Sequence, residues 1–225
     1  MIVLAFDPST DVTGVALVEI PESGCPTVLA FASMDATEAM KQATQKHPER
    51  RKEDGIRPRL RRIAWTRSEI AGWIADADSR LPLGIDLVAF EKGGGPGSQS
   101  DQAGDMALGC YLTISPLLEL PLVAVMRGAA CTSVGAHTLY REKAGVTYQQ
   151  KKDKRDRLKA AVIAGVNQRC ALFLRSDQDA EADAIAVGIA AGEQWWREQK
   201  AQKAAAAQTS MKLRRSPVKK KETVS

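Results

Sequence analysis

Residues 2–19 read IVLAFD-PSTD-VTGVALVE, and this stretch decides the fold class. Residues 2–6 are continuously apolar, which is typical of a strand buried on both faces of a sheet. Residues 7–14 are rich in Asp, Ser, Thr, Pro and Gly, as expected of a turn. Because residues 15–19 resume as a strand-like run, the stretch predicts a β-hairpin that begins at the N-terminus.

The rest of the chain alternates between apolar runs and segments with helical spacing, and it contains no internal repeat. Strands are predicted at residues 27–33, 85–90 and 121–126, and helices at 60–77, 102–114, 153–166 and 180–196. The polar residues 36–58 predict a mobile loop or a short helix. Early strands followed by alternating helices and strands predict an α/β fold, a mixed sheet with helices on its faces.

Composition excludes several classes of protein. The chain has 225 residues, of which 44% are hydrophobic and 26% charged, so it can bury a core and is not expected to be disordered throughout. No apolar run approaches the ~20 residues that span a bilayer, and Asp7 comes too early for a signal peptide. Four scattered cysteines and two histidines favour free buried thiols in a reducing compartment over a zinc site.

Positive charge is concentrated in separate segments of the chain. Residues 199–225 carry eight basic residues and one acid, a net charge of +7. The whole chain carries +5, so residues 1–198 carry a net charge of −2. We predict a domain at 1–198 and a basic tail at 199–225 that is disordered, or a fraying helix followed by disorder. Basic clusters also lie at 46–62 and 141–159. This pattern suits a polyanion partner, with a purely solubilising tail as the alternative.

Carboxylates lie at the ends of two predicted strands and at the start of the last predicted helix. Asp7 and Glu91 each end an apolar run, and ligands gather at such strand ends in α/β proteins. Asp179 and Asp183 are four residues apart at the start of the last helix and share a face, although Asp177 and Asp179 could simply cap it. Acids that converge repel one another unless a cation lies among them, and oxygen ligands select Mg²⁺ or Mn²⁺. A pair of such ions can drive phosphodiester cleavage.

Three stretches together resemble the motifs of one family. Residues 6–16, FDPSTDVTGVA, look like the opening motif of RuvC-type Holliday junction resolvases, which belong to the RNase H-like nuclease superfamily. Residues 88–92, VAFEK, are similar to the second acidic motif of that family. Residues 181–186, EADAIA, resemble the third, which opens the last helix. Their order and spacing extend the resemblance over residues 1–196.

The resemblance implies a five-stranded mixed sheet and a homodimeric, metal-dependent endonuclease that resolves four-way DNA junctions during recombination and repair. It makes Asp7, Glu91 and Asp183 ligands of Mg²⁺ or Mn²⁺, with two ions per site. The family has a fourth acid three residues before the last one, where this chain has Ala180. We predict that Asp179 replaces it, because Asp179 and Asp183 share a helix face, with Glu181 as the alternative.

The family also places a lysine near the scissile phosphate, between the fifth strand and the next helix. Several lysines of this chain compete for that role, and we predict Lys154, which lies near the predicted start of a helix. The family further implies a cytoplasmic protein of a bacterium or of a virus-infected host cell. These assignments rest on the resemblance alone.

Other functions stay open at this point. An RNase H-like nuclease could act on other branched DNA or on precursor RNA, and a non-catalytic DNA-binding relative is possible. Actin-like ATPases share a similar opening motif, but they usually need a longer chain with two lobes. The glycine-rich residues 93–97 lack the ending of a P-loop, so they indicate either a close DNA contact or a plain connection.

Overall fold

Five strands form one mixed sheet in the order β3-β2-β1-β4-β5. β1 is antiparallel to β2 and parallel to β4, while β2–β3 is antiparallel and β4–β5 is parallel. The strands are β1 (Ile2–Asp7), β2 (Val12–Glu19), β3 (Thr27–Asp35), β4 (Leu87–Lys92) and β5 (Leu122–Met126). The α/β class and the mixed five-stranded sheet are confirmed.

The helices account for most of the remaining chain. They are α1 (Ala36–Lys46), α2 (Pro58–Arg80), α3, described over residues 107–111, α4 (Arg127–Ser133), α5 (His137–Arg141), α6 (Tyr148–Cys170) and α7 (Asp179–Arg215). The computed structural model describes residues 1–46, 58–80, 84–92, 107–114, 117, 119–143, 145 and 147–215. The glycine-rich residues 93–97 therefore lie outside the described residues. Within the described part, no helix is both long and apolar enough to span a membrane.

Several helix boundaries differ from the predicted ones for identifiable reasons. α6 begins at Tyr148, before the predicted residue 153, because Thr147 and Gln150 form a capping box in which each side chain accepts from the other's backbone N–H. α1 occupies the segment for which a loop or short helix was expected. α4 and α5 span seven and five residues and were not predicted, since such short helices show no clear periodicity.

The chain divides into two units, residues 1–192 and 193–225. The first holds the sheet, α1 to α6 and the beginning of α7. The second is described over residues 193–215, where α7 continues as a helix with an alanine run at 204–207, a composition of high helix propensity. The beginning of the basic tail is thus helical, as in the second of the two alternatives. Residues 216–225 lie outside the described residues.

The sheet carries a different layer on each face. Leu4, Phe6 and Val88 are fully buried in one hydrophobic core with residues of α2 and α3, among them Ile70 and Tyr111. Burying side chains of this size contributes roughly 1.5–3 kcal/mol each. The residues that alternate with them point to the opposite face of the sheet. The core on the α2 side therefore fixes which side chains of β1 and β4 face the other way.

α7 covers the second face through small residues. A methyl group added to Gly188 would lie 3.2 Å from Cβ of Ala5 and 3.0 Å from Val18, so the helix packs closely against β1 and β2. Ala5 pairs with Ala89 across the β1–β4 ladder. The face that holds Ala5 and Ala89 is thus the one beneath α7.

The four cysteines are free, as expected from their spacing. Cys131 is buried, and Cys110 and Cys170 are half-buried. Cys25 is exposed, so the expectation of burial is wrong for this residue, which lies in the connection between β2 and β3.

Candidate functional site

Asp7 and Glu91 lie side by side at the carboxyl ends of two parallel strands. Asp7 is the last residue of β1, and Glu91 is followed only by Lys92 in β4. Phe6 pairs with Phe90, so the next residue of each strand points away from the α2 core, toward the face that α7 covers. The register of one parallel pair thus brings together two acids that are 84 positions apart.

The turn after Asp7 is held by Thr13, which is buried. The Thr13 hydroxyl donates to the carbonyl of Ser9 (2.9 Å) and forms a hydrogen bond with the Tyr111 hydroxyl (3.1 Å). The carbonyl oxygen of Ser9 also lies 3.2 Å from the Tyr111 hydroxyl and is the alternative acceptor for its hydrogen. The Ser and Thr residues of the opening motif therefore fix the chain just beyond Asp7 by hydrogen bonds.

The first turn of α7 lies against β2 at Gly14, the residue opposite Asp7 in the hairpin. A methyl group added to Gly14 would lie 3.3 Å from Cβ of Ala184. This close packing places Asp183, one residue before Ala184, at the same edge of the sheet as Asp7. Three segments that are remote in sequence thus supply Asp7, Glu91 and Asp183 to one site.

The electrostatics of the carboxyl groups show that they share one environment. Burial, followed by the charges of Glu91 and Asp183, raises the pKa of Asp7 well above its ordinary value. Burial raises the pKa of Glu91 to about 7, with Asp183 adding to the rise and Arg127 opposing it. The pKa of Asp183 is raised by burial, opposed by Arg127 and increased by Asp179. The cluster is therefore short of positive charge.

Arg127, the first residue of α4, lies between two of the acids. Its Nη1 is 3.4 Å from Oε1 of Glu91, and its Nη2 is 3.5 Å from Oδ2 of Asp183. Although burial opposes it, the charges of these carboxylates raise the pKa of Arg127. β5 ends at Met126 beside Lys92 of β4, so the strand order delivers Arg127 to this edge.

Asp179 and Glu181, the two candidates for the fourth acid, lie in different surroundings. Asp179 forms an ion pair with Lys159 of α6, and its charge acts on both Asp7 and Asp183. Glu181 is buried and accepts a hydrogen bond from the Ser33 hydroxyl of β3 at 3.1 Å. The structure therefore brings Asp179, and not Glu181, to the electrostatic neighbourhood of the other acids.

Lys154 does not pair with these carboxylates. Its ammonium group donates to the main-chain carbonyls of Tyr140 (3.2 Å) and Glu142, at the end of α5. The cations whose charges act on Asp183 are instead Arg127 and Lys159. The role of Lys154 at a phosphate stays a prediction.

The oxygen atoms of these carboxylates are suitable ligands for a hard divalent cation. All four acids offer carboxylate oxygens, which favour Mg²⁺ or Mn²⁺ over zinc. Burial, together with the charges of neighbouring acids, raises the pKa of Asp7, Glu91 and Asp183, and a cation would relieve both effects. Among the described residues, however, no three His, Cys, Asp or Glu side chains are placed to enclose an ion as they stand. The residues thus fit a cation in charge and ligand type, with Arg127 between two of them.

Two basic residues of the site, Arg127 and Lys159, were not predicted individually from the sequence. Arg127 lies outside the basic clusters, and Lys159 was only the last member of one. A signal for Arg127 was available, since it directly follows β5 at the same sheet edge where β1 and β4 end in Asp7 and Glu91. For Lys159, only the packing of α6 beside α7 reveals the pairing with Asp179.

Solved structures similar to this chain include two of RuvC from Thermus thermophilus. RuvC of T. thermophilus in complex with Holliday junction substrate superposes with a TM-score of 0.53 at 14% identity, over 84% of this chain and 92% of that chain. The chain has the RuvC fold. Another structure of Thermus thermophilus RuvC gives a TM-score of 0.51 at 15% identity, over the same shares of the two chains.

A viral protein is also similar, though less so. The fowlpox virus resolvase, in complex with its substrate Holliday junction DNA, gives a TM-score of 0.43 at 12% identity, over 87% of this chain and 99% of that chain. No protein-family model matches the sequence, and no curated protein matches it significantly. The resemblance to RuvC seen in the three motifs is confirmed in the fold, which is RNase H-like.

Proposed function

We propose that the protein is a structure-selective endonuclease that depends on divalent cations and resolves four-way DNA junctions. One observation carries the proposal. Asp7, Glu91 and Asp183, from three remote segments, meet at the carboxyl ends of β1 and β4 beneath α7. Burial raises the pKa of each, and the charge of Asp183 raises the pKa of Asp7 and Glu91 further. The RuvC fold supports this choice among nucleases, because the similar T. thermophilus protein was solved with a Holliday junction substrate.

In this proposal Asp7, Glu91, Asp183 and Asp179 would hold two Mg²⁺ or Mn²⁺ ions. When bound, such ions make water a stronger nucleophile and stabilise the leaving oxygen of a phosphodiester. The protein contributes the positions of the acids, which rigid strands and one helix hold in place. Burial of Glu91 and Asp183, whose side chains are 10% and 13% exposed, keeps bulk water from screening the site.

Basic segments would hold the DNA arms by their phosphates, which gives affinity without base sequence recognition. The described part of the cluster at 141–159 includes Lys154 and Lys159, and Lys159 already lies beside Asp179. Cutting two opposed strands symmetrically requires two sites, so the proposal includes a homodimer with twofold symmetry. It also includes action in the cytoplasm of a bacterium or a virus-infected cell.

The decisive experiment is a cleavage assay on a mobile four-way junction, with and without Mg²⁺, with products mapped on all strands. We expect paired cuts on opposed strands that require Mg²⁺. Duplex, flap and RNA hairpin substrates run in parallel separate a junction resolvase from a nuclease for other branched DNA or for RNA. Sedimentation of the same preparation should give twice the chain mass of 24.3 kDa.

A substitution of Glu91 then tests whether cleavage depends on this site. Glu91→Gln should lower cleavage by at least about 100-fold, since one charge of the site is lost, while junction binding in a gel-shift assay persists. Glu19→Gln is the matched control, because Glu19 also ends a strand but is exposed at the opposite end of the β1–β2 hairpin. Full cleavage by the Glu91→Gln variant would refute the assignment.

A further inference from the structure

Arg127 occupies the position in the carboxylate cluster where a cation is expected. Its guanidinium group lies between Glu91 and Asp183, at 3.4 and 3.5 Å from their oxygens. The Arg127 side chain is 37% exposed, whereas the two carboxylates are almost buried. The Arg127 side chain is thus more accessible than the acids to which its terminal nitrogens point.

The two ion pairs are long for charge-assisted hydrogen bonds. Such bonds usually measure about 2.7–2.9 Å, and a well-formed arginine–carboxylate pair is bidentate to a single carboxylate. Arg127 instead divides its two terminal nitrogens between two acids and reaches neither at the usual distance. Its hold on each carboxylate is therefore weak, and a stronger ligand can displace it without breaking an ideal pair.

The charge count of the cluster shows that Arg127 is insufficient as a counter-ion. When ionised, Asp7, Glu91, Asp183 and Asp179 carry four negative charges, and Arg127 and Lys159 supply two positive ones. Two negative charges stay uncompensated, which agrees with the raised pKa values of the buried acids. A divalent cation supplies the missing charge in a single particle.

We infer that Arg127 is the resident counter-ion of the cation-free site, and that it competes with the divalent cation for Glu91 and Asp183. This inference rests on the proposed function, because it needs a cation that binds at these acids. A DNA phosphate beside the site offers the released guanidinium group a bidentate partner. Because binding equilibria are reciprocal, DNA and the cation then favour each other's binding.

The test measures cation affinity directly, with no turnover. Mn²⁺ binding is followed by calorimetry on the full chain without DNA, for the wild type, Arg127→Met and the control Lys41→Met. Methionine keeps much of the aliphatic bulk of arginine without its charge. Lys41 is an exposed residue of α1 that pairs only weakly with Glu38, at 3.5 Å, so the control removes one positive charge elsewhere.

Arg127→Met should bind Mn²⁺ about 5- to 150-fold more tightly than the wild type, the range of typical coupling between sites. Lys41→Met should match the wild type. Equal or weaker binding by a folded Arg127→Met variant overturns the role of Arg127 and leaves the cation site standing. Absence of Mn²⁺ binding to every variant overturns the proposed cation site and this inference with it.

A second measurement uses the wild-type protein, in case the variant does not fold. The Nε–H resonance of Arg127, assigned through its bonded side-chain and backbone nuclei, is followed by NMR during a titration with Mg²⁺. Displacement from Glu91 and Asp183 should shift this resonance in proportion to site occupancy. A resonance that stays in place at saturating Mg²⁺ overturns the inference.

Discussion

The carbonyl oxygen of Ala180 lies so close to Gly14 that a methyl group added there would be 1.9 Å from it. Gly14 is opposite Asp7 in the hairpin, and Ala180 lies in the first turn of α7, between Asp179 and Asp183. The absence of a side chain on Gly14 is therefore what allows the helical acids to reach the strand acids.

Gly14→Ala tests this contact. The added methyl group would collide with a backbone atom, so α7 must shift, and overpacking of this kind costs about 1–3 kcal/mol of unfolding free energy. Cleavage should fall by more than the loss of stability explains, because Asp183 moves away from Asp7. Thermal unfolding and junction cleavage are measured together at a temperature where the variant is folded.

Gly72→Ala is the matched control for this prediction. Gly72 lies in α2, and a methyl group there would meet no atom within 4 Å. Alanine is the better helix former, so this variant should gain roughly 0.5–1 kcal/mol and keep its activity. If Gly14→Ala and Gly72→Ala changed stability and cleavage equally, the Gly14–Ala180 contact would have no special role.

The stability of the cation-free protein should fall as the pH rises. The pKa of Glu91 is about 7 in the folded protein and near 4.5 when unfolded, so between these values the folded state holds more protons. The free energy of unfolding then decreases with pH until Glu91 is ionised. From pH 5.5 to 8, in EDTA, we expect Glu91→Gln to lose less stability than the wild type, by on the order of 2 kcal/mol.

Urea unfolding at several pH values measures this difference. Glu19→Gln, which removes an exposed acid, should keep the pH dependence of the wild type. The raised pKa values of Asp7 and Asp183 act in the same direction, so some dependence should persist in Glu91→Gln. Identical slopes for the wild type and Glu91→Gln would contradict the assignment of the shift to Glu91.

Separate substitutions of Asp179 and Glu181 test which of them is the fourth acid. Asp179→Asn should weaken Mn²⁺ binding and cleavage, by about 10- to 100-fold if it acts as a supporting ligand. Glu181→Gln should leave both nearly unchanged, since Glu181 bonds to Ser33 and an amide can keep that contact. The reverse result, with Glu181→Gln as the inactive variant, would transfer the role to Glu181.

The strands and the acids could be predicted because each leaves a local signal. The apolar runs of β1 and β4 are continuous, and Asp7 and Glu91 stand out because each is a charge at the end of a buried run. The helical spacing of Asp179 and Asp183 is equally local. What these signals have in common is that they need no knowledge of which strands are neighbours.

The partners of those acids could not be predicted in the same way. Arg127 reaches Glu91 only because β5 is placed next to β4, and Lys159 reaches Asp179 only through the packing of two helices. The position of Glu181 depends on β3, the outer strand on the opposite side of the sheet from β5. These contacts follow from strand order and helix packing, which the local pattern leaves open.

The ladder between β1 and β4 makes the site intolerant of changes in chain length at two places. Side chains alternate along a strand, so inserting or deleting one residue in β4 before Glu91 would turn this acid toward the hydrophobic core around Phe6 and Ile70. Insertions in a connection remote from the site, such as that between β2 and β3, carry no such penalty. Loops at that end can therefore change length as the chain evolves, while a single-codon deletion in β1 or β4 removes the site in one step.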